Sequence, residues 1–159
     1  MNGRTCCVTG HREIPAAETA FVKQALRKEV ALAMEEGFTH FLSGMAEGAD
    51  LIFAEVVAEF GAEGADICLE AAIPYRDRLR RLERTHGKLL ERCGKITVVS
   101  EGYAKYVFAK RNQYMVEQSE RVIAVYDGRQ TGGTAATIRM AEKKGADLRK
   151  IILGEMKKG

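Results

Sequence analysis

The chain has 159 residues, 46% apolar and 30% charged, with a formal net charge of +3. That length suits one domain, residues 1–159, with a full-sized core, and the composition excludes disordered and low-complexity classes. No apolar run is long enough to span a bilayer, the small net charge leaves no strong nucleic-acid footprint, and the four cysteines (Cys6, Cys7, Cys68, Cys93) show neither CxxC nor zinc spacing.

The opening residues, MNGRTCCVTG, run straight into a strand and lack the layout of a signal peptide. With reduced, buried thiols the expectation is a cytoplasmic protein without a membrane partner. The first strand, Arg4 to Thr9, is followed at once by Gly10, His11 and Arg12. In an open parallel sheet ligands bind just beyond the C-terminal ends of strands. An arginine there suits phosphate or carboxylate, because its planar fork pairs two oxygens. A solvated loop arginine and a histidine capping a backbone group are the plainer reading.

Ala16 to Glu36 reads as a helix with Val22, Leu26, Val30 and Ala33 on one stripe. Phe38 to Leu42 is the second strand, with His40 as a packing residue. The turn Ser43-Gly44-Met45-Ala46-Glu47-Gly48-Ala49-Asp50 then leads into a second helix, marked by Ile52, Phe53, Val56, Val57 and Phe60. Ser43, Gly44 and Met45 sit where backbone can approach a phosphate. Glu47 can accept ribose hydroxyls, although both Glu47 and Asp50 also suit the positive end of a helix dipole.

Asp66 to Ile73 is the third strand. Glu70 within it points to a position near a sheet edge. Tyr75 follows, able to stack on a base or to cover the core edge. Arg76 to Arg92 reads as one helix with seven basic residues and an inner stripe of Leu79, Leu82, His86 and Leu89. Lys95 to Val99 is the fourth strand. A helix containing Arg111 and Asn112 near its start follows, and both face the same sheet end.

The stretch RVIAVYDGRQTGGTAAT organises the rest. Val122 to Val125 is a buried strand closed by Tyr126 and Asp127. Gly132, Gly133 and Thr134 open the last helix. Glycines admit a ligand to the backbone, and a helix N-terminus offers unpaired N–H groups and a positive dipole end. Together they make an anion site, although neither the Walker nor the GxGxxG pattern is present. Lys150 to Leu153 is a last strand, and the tail GEMKKG reads as frayed.

Six strands alternating with five helices predict an α/β fold, a three-layer Rossmann-like domain with a mostly parallel sheet. The expected core order is 3-2-1-4-5. The polar, glycine-bearing segments TGHR, SGMAEGAD and YDGRQTGGT each fall after a strand and before a helix, so they collect on one sheet edge and predict a single crevice.

The segments TGHR, SGMAEGAD, IPYRDR, RNQYMVEQS and YDGRQTGGT resemble the SLOG superfamily, and within it the YpsA-like branch of small bacterial proteins. The likeness runs from about residue 4 to about residue 153. It implies a Rossmann-like fold and a nucleotide or nucleotide-derived ligand, with NAD, ADP-ribose or AMP as the cofactor class. The superfamily includes DprA-type DNA-processing proteins, whose turn is similar to Ser43–Asp50. It also includes LOG-type enzymes, which release a base from a nucleoside monophosphate. Arg111 matches the LOG-type arginine by position, and Gly133-Thr134 match the GT pair of PGGxGTxxE. The glutamate of that loop falls at Thr137, and the leading Pro-Gly-Gly is absent.

That departure bears on chemistry. Cleaving an N-glycosidic bond builds positive charge on the ribose, which a carboxylate stabilises; a threonine does not. The first reading is therefore a small-molecule nucleotide binder with no catalytic residue assigned. Its ligand residues are Gly10, His11, Arg12, Ser43, Gly44, Met45, Glu47, Tyr75, Arg111, Asn112, Asp127, Gly132, Gly133 and Thr134. The second is a hydrolase with a displaced carboxylate, Glu47 or Asp127. The third is single-stranded nucleic-acid binding through the Arg76–Arg92 segment, against which stand the absence of Trp and an aromatic content of 7%. A homo-oligomer, most simply a dimer, is the expected assembly.

Overall fold

The computed structural model describes residues 3–154. Six strands form one sheet: β1 (Arg4–Gly10), β2 (Phe38–Ser43), β3 (Cys68–Tyr75), β4 (Lys95–Ser100), β5 (Arg121–Tyr126) and β6 (Asp147–Ile152). The helices are α1 (Thr19–Glu35), entered through a 3-10 turn at Ala16–Glu18, then α2 (Ala49–Ala62), α3 (Arg76–Thr85), α4 (Gly87–Glu91), α5 (Val107–Gln118) and α6 (Gly133–Lys144). All strand pairs are parallel.

The strand order is β4-β3-β2-β1-β5-β6, which corrects the expected 3-2-1-4-5 core. The first three strands stand as expected. β4 continues outward beside β3, and β5 takes the place next to β1. The reason lies in the crossovers. α4 packs against α2, so the β3–β4 connection stays on the α1–α2 face, and a right-handed crossover on that face adds the next strand further out. Only the connection through α5 changes face and returns to β1.

The core follows from strand alternation. Cys6 and Val8 point into the larger cluster with Phe41, Ile73, Ile123 and the inner faces of α1 and α2. Cys7 points the other way, with Leu42, Ala72 and Val122, against Met115, Val116 and Ala141 of α5 and α6. The α1 stripe of Val22, Leu26, Val30 and Ala33 is fully buried, as its spacing predicts. The expected Arg76–Arg92 helix breaks at His86, whose φ of −138° and ψ of 38° are not helical, into α3 and α4. α3 buries no residue fully.

Glu70 is not at a sheet edge. β3 is an inner strand, and Glu70 is 2% exposed because its neighbours satisfy it. Its carboxylate takes hydrogen bonds from Thr97 Oγ1 at 2.7 Å and Tyr114 OH at 2.6 Å, and lies 2.6 Å from His40 Nε2. Burial pushes its pKa up, but the bonds from His40, Tyr114 and Thr97 outweigh it and hold the group at about 2. The last strand starts at Asp147, three residues before the expected start. The frayed-tail reading of GEMKKG lies outside the described residues from 155 onward.

Candidate functional site

The strand order reverses direction between β1 and β5, since β1 leads to β2 on one side and β5 leads to β6 on the other. Ligands in open α/β sheets bind at such a switch point. A crevice of about 280 Å³ opens there, lined by Thr9 and Gly10 at the end of β1, His11 and Arg12 just after it, Gly132, Gly133 and Thr134 at the start of α6, and Asp50, Arg111 and Asn112 from α2 and α5.

The α6 end of the crevice presents the uncapped start of a helix. Gly132 has φ +95°, a conformation that favours glycine. α6 starts without a side-chain cap, and its first hydrogen bond runs from Ala136 N–H to Gly132 O. The N–H groups of the first turn are therefore left for something outside the helix. A methyl group at Gly133 would meet nothing within 4 Å, so that turn is open.

Arg111 faces it from α5 and is only 5% exposed. Nη1 donates to Gly44 O at 2.8 Å and Nε donates to Asn112 Oδ1 at 2.8 Å. Burial lowers its pKa, Asp50 opposes this, and Arg12 and Arg78 add to the lowering. Arg12 is exposed, with its guanidinium 5.2 Å from the centre of the Phe108 ring.

His11 joins the two glycine loops. Its Nε2 lies 3.2 Å from Asp127 Oδ1 and accepts the Asp127 N–H at 3.2 Å. Its Nδ1 is 3.5 Å from Thr134 Oγ1. Asp127 stands on the rim, where the Arg129 side chain and N–H hold its carboxyl well below the usual range. Their closest contact is 2.6 Å.

The crevice thus gathers Gly10, His11, Arg12, Arg111, Asn112, Gly132, Gly133 and Thr134 from the expected set. Ser43 and Gly44 lie beneath it. Ser43 is fully buried, its hydroxyl donating to Asp50 O at 2.8 Å and accepting Met45 N–H at 3.1 Å. Met45 is 2% exposed at φ +58°. Met45 and Glu47 line a second crevice of about 250 Å³, shared with Arg12, Arg78 and Arg81. Tyr75 packs edge-on against Tyr103 and Phe108, with ring centres 5.6 and 6.2 Å away.

Two functional candidates escaped the sequence. Phe108 forms part of the crevice wall, and no motif in the sequence singled it out. Asp50 was legible as a helix-dipole residue, yet it is 7% exposed and lines the crevice. Burial pushes its pKa up to about 6, against the pull of Arg111, the Ala46 N–H and Arg12. Thr137, by contrast, is 2% exposed and donates to Gly133 O at 2.9 Å. Among the described residues no group of three or more His, Cys, Asp or Glu could hold a metal ion. Nor is any helix among them long and apolar enough to cross a membrane.

The sequence model of YpsA, described as the YspA SLOG family, matches residues 6–153. The chain belongs to the YspA SLOG family. Relatives it is similar to include UPF0398 proteins of Bacillus thuringiensis (strain Al Hakam) and Bacillus cereus (strain Q1). Each is 26% identical over 132 residues, covering 78% of this chain and 71% of the relative. Among solved structures, the DNA processing protein A of Helicobacter pylori, described for its single-stranded DNA binding mode, superposes with a TM-score of 0.66 at 18% identity. The match covers 93% of this chain but 65% of that one, so the chain spans just under two thirds of that protein. The structural-genomics target TM1055 superposes with a TM-score of 0.55 at 16% identity, covering 91% of this chain and 72% of that one. At these identities the superpositions speak for the fold alone.

Proposed function

We propose that the switch-point crevice binds a small phosphate-bearing ligand of the nucleotide class. The observation that carries this reading is the uncapped, open N-terminus of α6 lining the same crevice as Arg12, Arg111 and Arg129. Three guanidinium groups and a helix N-terminus around one cavity favour an anion. The volume of about 280 Å³ lies just below the usual range of small-molecule sites and suits one nucleotide half. A ligand with two halves, NAD or ADP-ribose, would reach past Arg12 into the second crevice.

No reaction is assigned. At the position of the LOG-type glutamate, Thr137 is buried and its hydroxyl is engaged by helix backbone, which supports binding over glycosidic cleavage.

The test is a thermal-shift and calorimetric comparison of AMP, ATP, NAD, ADP-ribose and inorganic phosphate. At a hundredfold excess over its dissociation constant a ligand stabilises by about 2.7 kcal/mol, or roughly 5–10 °C for a chain of this size. Gly133→Asp should abolish the shift while leaving the unliganded protein folded, since an acid in the first turn suits the dipole. Arg111→Ala is a poor probe because it also removes the bond to Gly44. A screen in which none of these ligands shifts the protein would sink the reading.

A second reading has its own observation. Tyr103 and Tyr106 are 68% and 69% exposed, on the loop entering α5, near the arginine-rich α3. Exposed aromatics beside basic residues suit single-stranded nucleic acid, the ligand named for the Helicobacter pylori protein. Oligonucleotide binding that falls steeply with salt and is lost in a Tyr103→Ala, Tyr106→Ala double variant would favour it.

A further inference from the structure

Asp50 is a buried carboxylate lining the crevice proposed for a phosphate-bearing ligand, which calls for a reason. Among the described residues its side chain receives one hydrogen bond, from Ala46 N–H at a long 3.4 Å. Arg111 faces it across Gly44. A Cβ at Gly44 would lie 2.7 Å from Arg111 Nη1 and 2.8 Å from Asp50 Oδ2. Yet the two charged groups make no contact within 4 Å, because Arg111 spends Nη1 on Gly44 O. The other groups facing Asp50 are Arg12, from the loop after β1, and the Cys7 thiol of β1, which burial holds neutral.

A buried carboxylate with a single weak donor is costly unless something completes its hydrogen bonding. Helix-dipole placement does not require the burial, since Glu47 sits beside the same turn and is exposed. The open side of Asp50 is the crevice. A bare phosphate there would meet repulsion and offer no donor. A phosphorylated sugar brings its anion to α6 and its hydroxyls to the carboxylate, whose two oxygens accept two donors side by side.

We propose that Asp50 is the specificity-determining residue of the crevice, accepting the vicinal hydroxyls of a ribose whose phosphate is held by α6 and the arginines. This rests on the crevice being a phosphate-ligand site. It makes the ligand a ribose phosphate and not a simple oxyanion or a dideoxy nucleotide.

Calorimetry of wild type and Asp50→Asn decides it, using AMP, 2′,3′-dideoxy-AMP, ribose 5-phosphate and inorganic phosphate. Wild type should bind AMP at least tenfold more tightly than the dideoxy form, and ribose 5-phosphate more tightly than inorganic phosphate. Asp50→Asn should bring the AMP ratio to within about twofold, with dideoxy-AMP bound as well as before or better, since a negative charge has gone. Unliganded Asp50→Asn should melt at or above the wild-type temperature, because an amide costs less to bury than a poorly paired charge. Binding of AMP and dideoxy-AMP with equal affinity by wild type, or a ratio that survives in Asp50→Asn, overturns the proposal and leaves the phosphate site standing. A much lower melting temperature of the unliganded variant makes Asp50 structural and overturns it too. Failure of all four compounds to bind overturns both.

Discussion

Glu70 shows how a buried charge can be wholly provided for by its neighbours. Three donors from β2, β4 and α5 converge on one carboxylate that solvent does not reach. Removing the charge while keeping the shape turns one acceptor into a donor facing donors. Glu70→Gln should therefore cost about 1–3 kcal/mol in urea unfolding. A variant as stable as wild type would mean that these bonds contribute nothing net. Asp50 is its counterpart in the crevice, the same chemical group with one long bond. The contrast explains why one carboxyl is pulled down to about 2 and the other pushed up to about 6.

At the scale of the element, the glycines differ in kind. Gly48 caps α2 at φ +80°, and a Cβ there would come within 2.4 Å of His11 O and 2.5 Å of Arg12 O, both backbone atoms that cannot step aside cheaply. Gly48→Ala should destabilise by at least about 2 kcal/mol and should pull apart the packing of the TGHR loop on α2. Gly133 begins α6 in open space. Gly133→Ala should raise stability by up to about 1 kcal/mol while weakening phosphate-ligand binding, since its methyl group stands where the anion would approach. Thermal melts and calorimetry on the same variant check both halves; a variant gaining stability and keeping full affinity would place the anion elsewhere.

For the whole molecule, opposed carboxyls set the pH profile. A group with a raised folded pKa binds a proton in the native state before the unfolded chain does, so stability rises as pH falls through that range. For Asp50 this window runs from about 6 down to the ordinary aspartate value of 3.8. Glu70 works the other way. Its contribution is complete above the ordinary 4.5 and is lost as pH falls toward 2. Glu59, lowered first by its bond from Lys23, follows Glu70 in direction. The unliganded protein should thus be most stable in mildly acid buffer and lose stability below about pH 4. The advantage of Asp50→Asn over wild type should be largest near pH 8, of order 2–3 kcal/mol at most, and should shrink toward pH 4. An advantage independent of pH would remove Asp50 as its source.

The sequence by itself determined what depends on near neighbours in the chain. Four apolar residues between turn signals made β5 legible, and the 3.6-residue stripe of Val22, Leu26, Val30 and Ala33 made α1 legible. The strand-then-glycine order of TGHR and YDGRQTGGT put Gly10, His11, Arg12, Gly132, Gly133 and Thr134 into one crevice, because parallel strands leave such turns at one sheet edge, and Arg111 and Asn112 join them from α5. Tertiary structure alone decided the rest. Where β4 lies depends on which face its crossover takes, and α3 and α4 carry no local mark of that. That Glu47 faces a crevice shared with Arg78 and Arg81, and that Asp50 is buried opposite Arg111, whose bond to Gly44 spans 67 residues, depend on partners remote in the chain. Burial and electrostatic surroundings are sums over the folded neighbourhood, and a linear pattern of residue types does not contain them.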